Sequence, residues 1–170
     1  MKERRLKLLL LVAGYSLNIL SLSPTCAQNS RPVAVSFTEL DGSLHSLSEY
    51  CSKGPVYLTF WALWCDPCKQ ELRALKSFAK ESAGKPFTIL AVNQDSPKSL
   101  AKVKAYVRSQ GYPFVVVLDP DAQVYQAFNG QNLPFSVLLD KAGKVVSSRT
   151  GYLPGDEKEI EGEILNLLVE

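Results

Sequence analysis

A mostly apolar segment that runs directly into two cysteines constrains the fold of this 170-residue chain more than any other feature. Residues 55–63, PVYLTFWAL, form the kind of apolar run that a strand buried on both faces of a sheet requires. The sequence CDPC follows at residues 65–68, and apolar residues then recur every three or four positions over residues 66–83, as an amphipathic helix requires. These helix positions are Leu72, Leu75, Phe78 and Ala79. We therefore expect a central strand that ends in a Cys-x-x-Cys turn and continues into a helix.

Strand and helix patterns alternate along the rest of the chain, with turn residues between them. We predict strands at residues 33–40, 87–93 and 113–119, a hairpin at 134–151 with its turn at 141–144, and helices at 46–51, 96–112, 121–129 and 155–170. In one helix, Ser96 as cap, Pro97 at the first position and Gly111 past the end are start and stop signals. This alternation predicts an α/β fold, in which a central sheet is covered by helices on both faces.

The overall composition is that of an ordinary globular chain and favours a single domain. Hydrophobic residues make up 46% and charged residues 21%, without long charge runs or repeats. The net charge of +2 is no signal for nucleic acid, because four Lys/Arg and one Glu within residues 1–7 contribute +3 by themselves. We therefore expect no nucleic-acid partner and no polybasic membrane surface.

The N-terminus has the three parts of a secretory signal peptide. A basic start is followed by an apolar stretch over residues 6–22 and then by small and polar residues. Small residues occupy the positions that a signal peptidase reads, so we predict a signal peptide at residues 1–27, cleaved before Gln28. The mature domain would then span residues 28–170 and lie in the periplasm or another extracytoplasmic space.

Two other fates of the N-terminal segment stay open. Cys26 could become the acylated first residue of a lipoprotein, although the preceding SPT resembles a lipobox poorly. The segment could also remain as an uncleaved membrane anchor, although polar residues interrupt it and it is shorter than the roughly 20 apolar residues that a comfortable span needs. Each of these alternatives also implies export.

Export changes how the cysteines are interpreted, because thiols in an oxidising compartment tend to pair. The chain has four cysteines, and cleavage of the signal peptide would remove Cys26 and leave an odd three. Cys51 then has no partner, which fits either a small buried apolar residue or a third redox thiol. The other two, Cys65 and Cys68, form a close pair whose chemistry has to be explained.

Most functions of a Cys-x-x-Cys pair, such as metal or haem binding, require further ligand residues that this sequence lacks. A structural zinc site needs a second ligand pair, but the only histidine, His45, lies in a polar region that we expect to be a loop. A c-type haem site needs a histidine directly after the second cysteine, where this chain has Lys69. Copper delivery usually recruits a histidine or methionine, and Met1 is the only methionine. A purely structural disulfide would close too short a loop to stabilise much. We expect no metal and no cofactor.

Thiol-disulfide exchange is the use that fits the position of the pair. Cys65 stands where a strand ends and a helix begins, so unpaired backbone N–H groups and the helix dipole stabilise its thiolate. Cys65 is therefore the predicted attacking thiol, and Cys68, one turn inside the helix, is the resolving thiol. Pro67 suits the first helical turn because it has no N–H to lose. Asp66 places a negative charge beside the thiols, which opposes a strongly oxidising potential.

The segment VYLTFWALWCDPC resembles the strand and active-site turn of the thioredoxin superfamily, and residues 33–169 resemble its exported TlpA and ResA type. The resemblance implies a thioredoxin-like fold with a central mixed β-sheet, an N-terminal extension, and an extra helix and strand near residues 97–128. It also implies a disulfide reductant or exchanger, in many cases serving cytochrome c maturation and acting on apocytochrome c. Such proteins receive electrons from a membrane protein of the DsbD or CcdA kind. Trp61 and Trp64 would then surround the pair, with Trp64 contributing to the contact surface.

The same resemblance implies further site residues. It places a cis peptide bond between Leu133 and Pro134, where the backbone of Leu133 stays open to pair with a substrate strand. Thr59 stands where thioredoxins proper carry a buried aspartate, so that acid is missing. ResA-like proteins instead have a glutamate three residues after the second cysteine, which here is Glu71, on the same helix face as Cys68. Glu71 is then a candidate general base, with a solvated helix-face residue as the alternative.

The sequence therefore predicts an exported thiol-disulfide oxidoreductase that acts on protein substrates, as a reductant. One alternative is a non-catalytic thioredoxin-fold module that only binds protein partners. A second alternative is a peroxiredoxin-like thiol peroxidase, but that chemistry needs a threonine or serine three residues before the reactive cysteine, where this chain has Ala62.

Overall fold

A computed structural model describes residues 34–169, so the predicted signal peptide and Cys26 lie outside the described residues. The strands are β1 (Ser36–Glu39), β2 (Leu44–Ser46), β3 (Val56–Trp61), β4 (Thr88–Asn93), β5 (Val115–Leu118), β6 (Phe135–Leu139) and β7 (Val145–Thr150). The helices are α1 (Leu47–Cys51), α2 (Asp66–Glu81), α3 (Leu100–Gln110), α4 (Gln123–Ala127) and α5 (Glu157–Asn166), and a 3₁₀ turn at Pro97–Ser99 precedes α3.

All seven strands belong to one mixed sheet of order β2-β1-β5-β4-β3-β6-β7. β3 runs parallel to β4 and antiparallel to β6, and β4 runs parallel to β5. Every residue of β3 is buried, as the apolar run at residues 55–63 predicts for a strand with neighbours on both sides and helices above and below. The Cys-x-x-Cys turn therefore follows the C-terminal end of a central strand of the sheet.

The residues of β3 alternate between two separate buried layers. Val56, Leu58 and Phe60 pack with α1 and α4 on one face. Tyr57 packs with α2 and α5 on the opposite face, and Trp61 packs there with α2 and α3. Because side chains in a strand alternate with a period of two, one strand anchors helices on both faces of the sheet. The predicted mixed sheet with helices on both faces is thus confirmed. Between β4 and β6, where an extra helix and strand were predicted, the chain forms the 3₁₀ turn, α3, β5 and α4.

Two local predictions need correction. His45 does not lie in a loop, because residues 44–46 form the short strand β2 and His45 pairs with Phe37 of β1. A strand of three residues is too short for its alternation to be recognised in the sequence. The predicted helix at residues 96–112 begins as the 3₁₀ turn, and α-helical geometry starts at Leu100; its end at Gly111, with φ of 56°, is confirmed. In the described residues 34–169, no helix is long and apolar enough to cross a bilayer.

Candidate active site

Cys65 and Cys68 are joined by a disulfide at the junction of β3 and α2, with their Cα atoms 5.3 Å apart. Cys65 is the N-cap residue of α2, and its Sγ atom accepts a hydrogen bond of 3.3 Å from the backbone N–H of Cys68. Its side chain retains 5% exposure, whereas Cys68 is fully buried. The geometry thus places the sulfur of Cys65 at the positive end of the helix dipole and on the accessible side of the pair.

The residues that flank the disulfide divide into buried and exposed groups. Trp61 is fully buried and packs against Tyr106, whereas Trp64 is 72% exposed beside the motif. Pro67 is also exposed and occupies the first turn of α2. The carboxylate of Asp66 forms an ion pair of 2.6 Å with the Nζ atom of Lys69, whose hydrogen bond and positive charge lower the pKa of Asp66. Asp66 therefore keeps its negative charge beside the thiols, partly balanced by the ammonium group.

A carboxylate just after the neighbouring strand β4 hydrogen-bonds to the active-site turn, and the sequence analysis missed it. The Oδ2 atom of Asp95 accepts hydrogen bonds of 2.8 Å from the backbone N–H of Leu63 and from the side-chain amide of Asn93. The backbone N–H of Asp95 in turn donates to the Oδ1 atom of Asn93 at 3.2 Å. The strands β3 and β4 are parallel and end at the same side of the sheet. The polar residues at the end of β4, Asn93, and just after it, Asp95, were therefore the signal that could have identified this contact.

The peptide bond between Leu133 and Pro134 is cis, as the sequence resemblance predicts. Pro134 directly precedes β6, whose first residue, Phe135, pairs with Phe60 near the end of β3. The carbonyl oxygen of Pro134 accepts a hydrogen bond of 2.8 Å from the N–H of Gly151. Leu133 packs against the buried cluster that contains both redox cysteines. Within residues 34–169, the backbone of Leu133 makes no backbone hydrogen bond.

Glu71 is buried beneath the turn, with only 2% exposure, so it is not a solvated helix-face residue. Its Oε1 atom accepts a hydrogen bond of 2.8 Å from the hydroxyl of Tyr57, and its Oε2 atom accepts one of 3.1 Å from the hydroxyl of Thr59. Burial raises the pKa of Glu71 to about 7, because it disfavours the charged carboxylate; the two donated hydrogen bonds oppose this rise. Glu71 therefore titrates near neutral pH, one turn of α2 after Cys68.

Cys51 is separate from this site. It is buried on the opposite face of the sheet, in the cluster that contains Leu58 and Phe60, and it forms no disulfide with the other described cysteines. Burial raises the pKa of its thiol, which disfavours the reactive thiolate. The structure therefore agrees with the interpretation of Cys51 as a small apolar core residue and gives it no redox partner within residues 34–169.

Comparison with known proteins gives a consistent result. The Redoxin family matches residues 23–164 of the chain. The thiol-disulfide oxidoreductase ResA of Geobacillus kaustophilus is 33% identical over 161 residues, which cover 94% of this chain and 91% of that protein. A thiol:disulfide interchange protein of the DsbE type from Chlorobium tepidum has a crystal structure with a TM-score of 0.72 and 29% identity, covering 79% of this chain and 93% of that one.

The fold is also shared with a more distant protein. StoA from Bacillus subtilis is 21% identical, and its crystal structure has a TM-score of 0.64 over 83% of this chain and 99% of that one. The match to the Redoxin family covers most of the chain, and the similarity to ResA extends over nearly all of it. The chain belongs to the Redoxin family and, within it, to the ResA-like proteins of thioredoxin fold.

Proposed function

We propose that this protein is an exported thiol-disulfide oxidoreductase that reduces disulfides in protein substrates through Cys65 and Cys68. The enzyme class follows from the family. The observation that carries the finer proposal is the arrangement of the pair. One cysteine caps a helix at the accessible side, and the other is buried on the same helix, three residues before a buried acid whose pKa is raised to about 7. The described structure holds the oxidised state, which is the product of one round of substrate reduction.

The first step uses the position of Cys65. In the reduced protein, its thiolate is stabilised by the N–H of Cys68 and by the helix dipole. The thiolate attacks one sulfur of the substrate disulfide, so a bond forms between Cys65 and that sulfur while the substrate disulfide breaks. The other substrate sulfur leaves as a thiolate and takes a proton from solvent.

The second step resolves the mixed disulfide. Glu71, as a carboxylate, accepts the proton of the Cys68 thiol, and the resulting thiolate attacks the Sγ atom of Cys65. A bond forms between the Sγ atoms of the two cysteines while the bond between Cys65 and the substrate sulfur breaks. That sulfur leaves as a thiolate and is then protonated. Two electrons have then passed from the protein to the substrate, and the protein is left in the oxidised state.

Exposed apolar groups around the disulfide support a protein substrate. Trp64 stands largely in solvent beside the motif, and Pro67 is exposed on the first turn of the helix. The backbone of Leu133, before the cis Pro134, makes no backbone hydrogen bond within residues 34–169 and can offer hydrogen bonds to an extended substrate strand. Asp66 adds a charge at the rim of the same surface. We assign these residues to substrate binding.

The physiological setting follows by likeness to ResA. The family resemblance supports a role outside the cytoplasm, in which the protein reduces substrates such as apocytochrome c. A reductant in an oxidising compartment needs a supply of electrons, because each turnover leaves Cys65 and Cys68 oxidised. A membrane protein of the DsbD or CcdA kind would provide this supply.

Reduction of insulin disulfides tests the proposed function. In the presence of dithiothreitol, the wild-type protein should accelerate insulin reduction, whereas a thioredoxin-fold module that only binds partners would not. Because we propose a reductant, equilibration with glutathione should give the Cys65–Cys68 pair a reduction potential below about −220 mV. Strong oxidants of this fold lie nearer −120 mV. A potential on the oxidising side of glutathione would contradict the reductant assignment. Rapid turnover of hydrogen peroxide would instead favour the peroxidase alternative.

The predicted signal peptide has its own test. After expression of the full chain in a bacterium with a secretory pathway, mass spectrometry of the exported protein should show an N-terminus at Gln28. A diacylglycerol-modified N-terminus at Cys26 would assign the protein to the lipoproteins. An intact N-terminus in the membrane fraction would instead identify an anchor.

A further inference from the structure

Two side chains of β3, Tyr57 and Thr59, form hydrogen bonds with the buried carboxyl group of Glu71. Tyr57 and Thr59 lie two positions apart, so their side chains project from the same face of the sheet, towards α2. The hydroxyl of Tyr57 donates to one carboxylate oxygen at 2.8 Å, and that of Thr59 donates to the other at 3.1 Å. All three residues are at most 2% exposed, so water does not compete for these hydrogen bonds.

We infer that Tyr57 and Thr59 are positioning residues: their hydroxyl groups orient the Glu71 carboxyl group and set the pH at which it exchanges a proton with Cys68. The inference deepens the proposed function and rests on the role of Glu71 in it. Neither hydroxyl was identified from the sequence, where Thr59 marked only the absence of an acid and Tyr57 was part of an apolar strand.

The physical basis is a balance between burial and hydrogen bonding. Burial favours the protonated acid, and without compensation Glu71 would stay protonated and could not accept the proton of Cys68. A hydroxyl that donates to a carboxylate oxygen stabilises the charged form. Because each oxygen of Glu71 accepts one such bond, the ionised state is satisfied on both sides. Protonation requires one hydroxyl to give up its donor role, since a protonated carboxyl oxygen must itself donate.

Charged groups on other elements act on the same carboxyl group and are smaller influences. Arg149 of β7 lowers its pKa, and Asp156, just before α5, raises it. The charge of Arg149 is shared with Glu159 and Glu163 of α5, which bind its guanidinium at 3.0 and 2.6 Å. Tyr152, between β7 and α5, is a further titratable neighbour. After burial, the two hydroxyls of β3 are the largest influences on the proton affinity of Glu71.

Variants that remove single hydroxyls test the inference. Tyr57→Phe and Thr59→Val each delete one donor while keeping the shape of the side chain. Each should raise the midpoint of the Glu71 carboxyl titration, followed by ¹³C NMR, by about one pH unit, the size expected for one hydrogen bond to a charged group. The pH profile of disulfide exchange should move upward by the same amount. At pH 7 the rate should then fall by about fivefold, because less Glu71 is ionised.

Two controls separate this effect from loss of packing. Thr59→Ser retains the hydroxyl and should restore the midpoint and the profile that Thr59→Val shifts. Tyr50→Phe is matched to Tyr57→Phe, because the Tyr50 hydroxyl also donates to a glutamate, Glu39 at 2.7 Å, but belongs to the cluster on the opposite face of the sheet. Tyr50→Phe should therefore leave the Glu71 titration unchanged.

The outcomes are distinct. A raised Glu71 midpoint in Tyr57→Phe and Thr59→Val, with restoration by Thr59→Ser, supports the inference. Unchanged midpoints in both variants overturn it, whatever the activity. Failure of the proposed function is recognised separately: if Glu71→Gln retains the wild-type pH profile of exchange, Glu71 takes no part in the reaction, and the two hydroxyls lose their role as positioning residues for catalysis.

Discussion

Replacing Cys65 by serine should abolish disulfide exchange, whereas replacing Cys68 by serine should convert the protein into a trap for its substrates. In the proposed mechanism Cys65, at the helix N-terminus, supplies the attacking sulfur, and loss of a nucleophile lowers turnover by on the order of 10³-fold or more. Cys68→Ser still allows the attack but removes the resolving sulfur, so mixed disulfides through Cys65 accumulate. Insulin reduction measures the first effect, and non-reducing electrophoresis of extracts measures the second.

Cys51→Ser is the matched control for both variants. Cys51 is buried on the other face of the sheet and lies outside the active site, so its replacement should leave exchange and trapping at wild-type levels. Equal trapping by Cys65→Ser and Cys68→Ser would show that the assignment of attacker and resolver is wrong. Partners captured by Cys68→Ser, identified by mass spectrometry, would also name the physiological substrates.

Glu71→Gln should change the pH dependence of exchange while leaving the fold intact. Glutamine keeps the shape of the side chain but cannot accept the proton of Cys68, so resolution slows. We expect a loss of about tenfold near neutral pH, which corresponds to about 1.4 kcal/mol in the barrier. The thiolate titration of Cys65, followed by alkylation, should shift as well if Glu71 exchanges a proton with Cys68 as we propose, because groups that exchange protons titrate together.

The same substitution should alter how stability depends on pH. The pKa of Glu71 is raised from 4.5 to about 7 in the folded protein, so the folded state binds the proton more tightly than the unfolded state does. Its stabilising contribution is therefore fully present below pH 4.5 and is lost as the pH rises through about 7. The loss amounts to about 3 kcal/mol, measurable by denaturant unfolding at several pH values. Glu71→Gln should lack this component.

Glu81→Gln provides the control for both measurements. Glu81 lies at the exposed end of the same helix, so its replacement removes one carboxylate from α2 without touching the site. Exchange rate and pH-dependent stability should both stay at wild-type values in this variant. If Glu71→Gln and Glu81→Gln give the same profiles, Glu71 has no special role, and the catalytic group reduces to Cys65, Cys68 and Pro134.

Much of the fold could be predicted because its signals are local. The buried strand β3 and the start of α2 depend on residues that are close together in the chain, as do the end of α3 at Gly111 and the hairpin of β6 and β7. The cis bond before Pro134 was predicted by family resemblance and is present. The short strand β2 was missed, since it forms only by pairing with β1. The signal peptide and the roles of the site residues stay predictions.

The class of chemistry could be predicted from residues that are close together in the chain, because two cysteines three positions apart, with one at a helix start, favour thiol exchange. The hydrogen bonds around the pair and around Glu71 arise only when the chain is folded. Tyr57 reaches Glu71 across 14 positions of sequence, and Asp95 reaches the N–H of Leu63 across 32. Such contacts depend on strand register and on which helix covers which face. These are properties of the packed sheet, and periodicity within a single segment does not contain them.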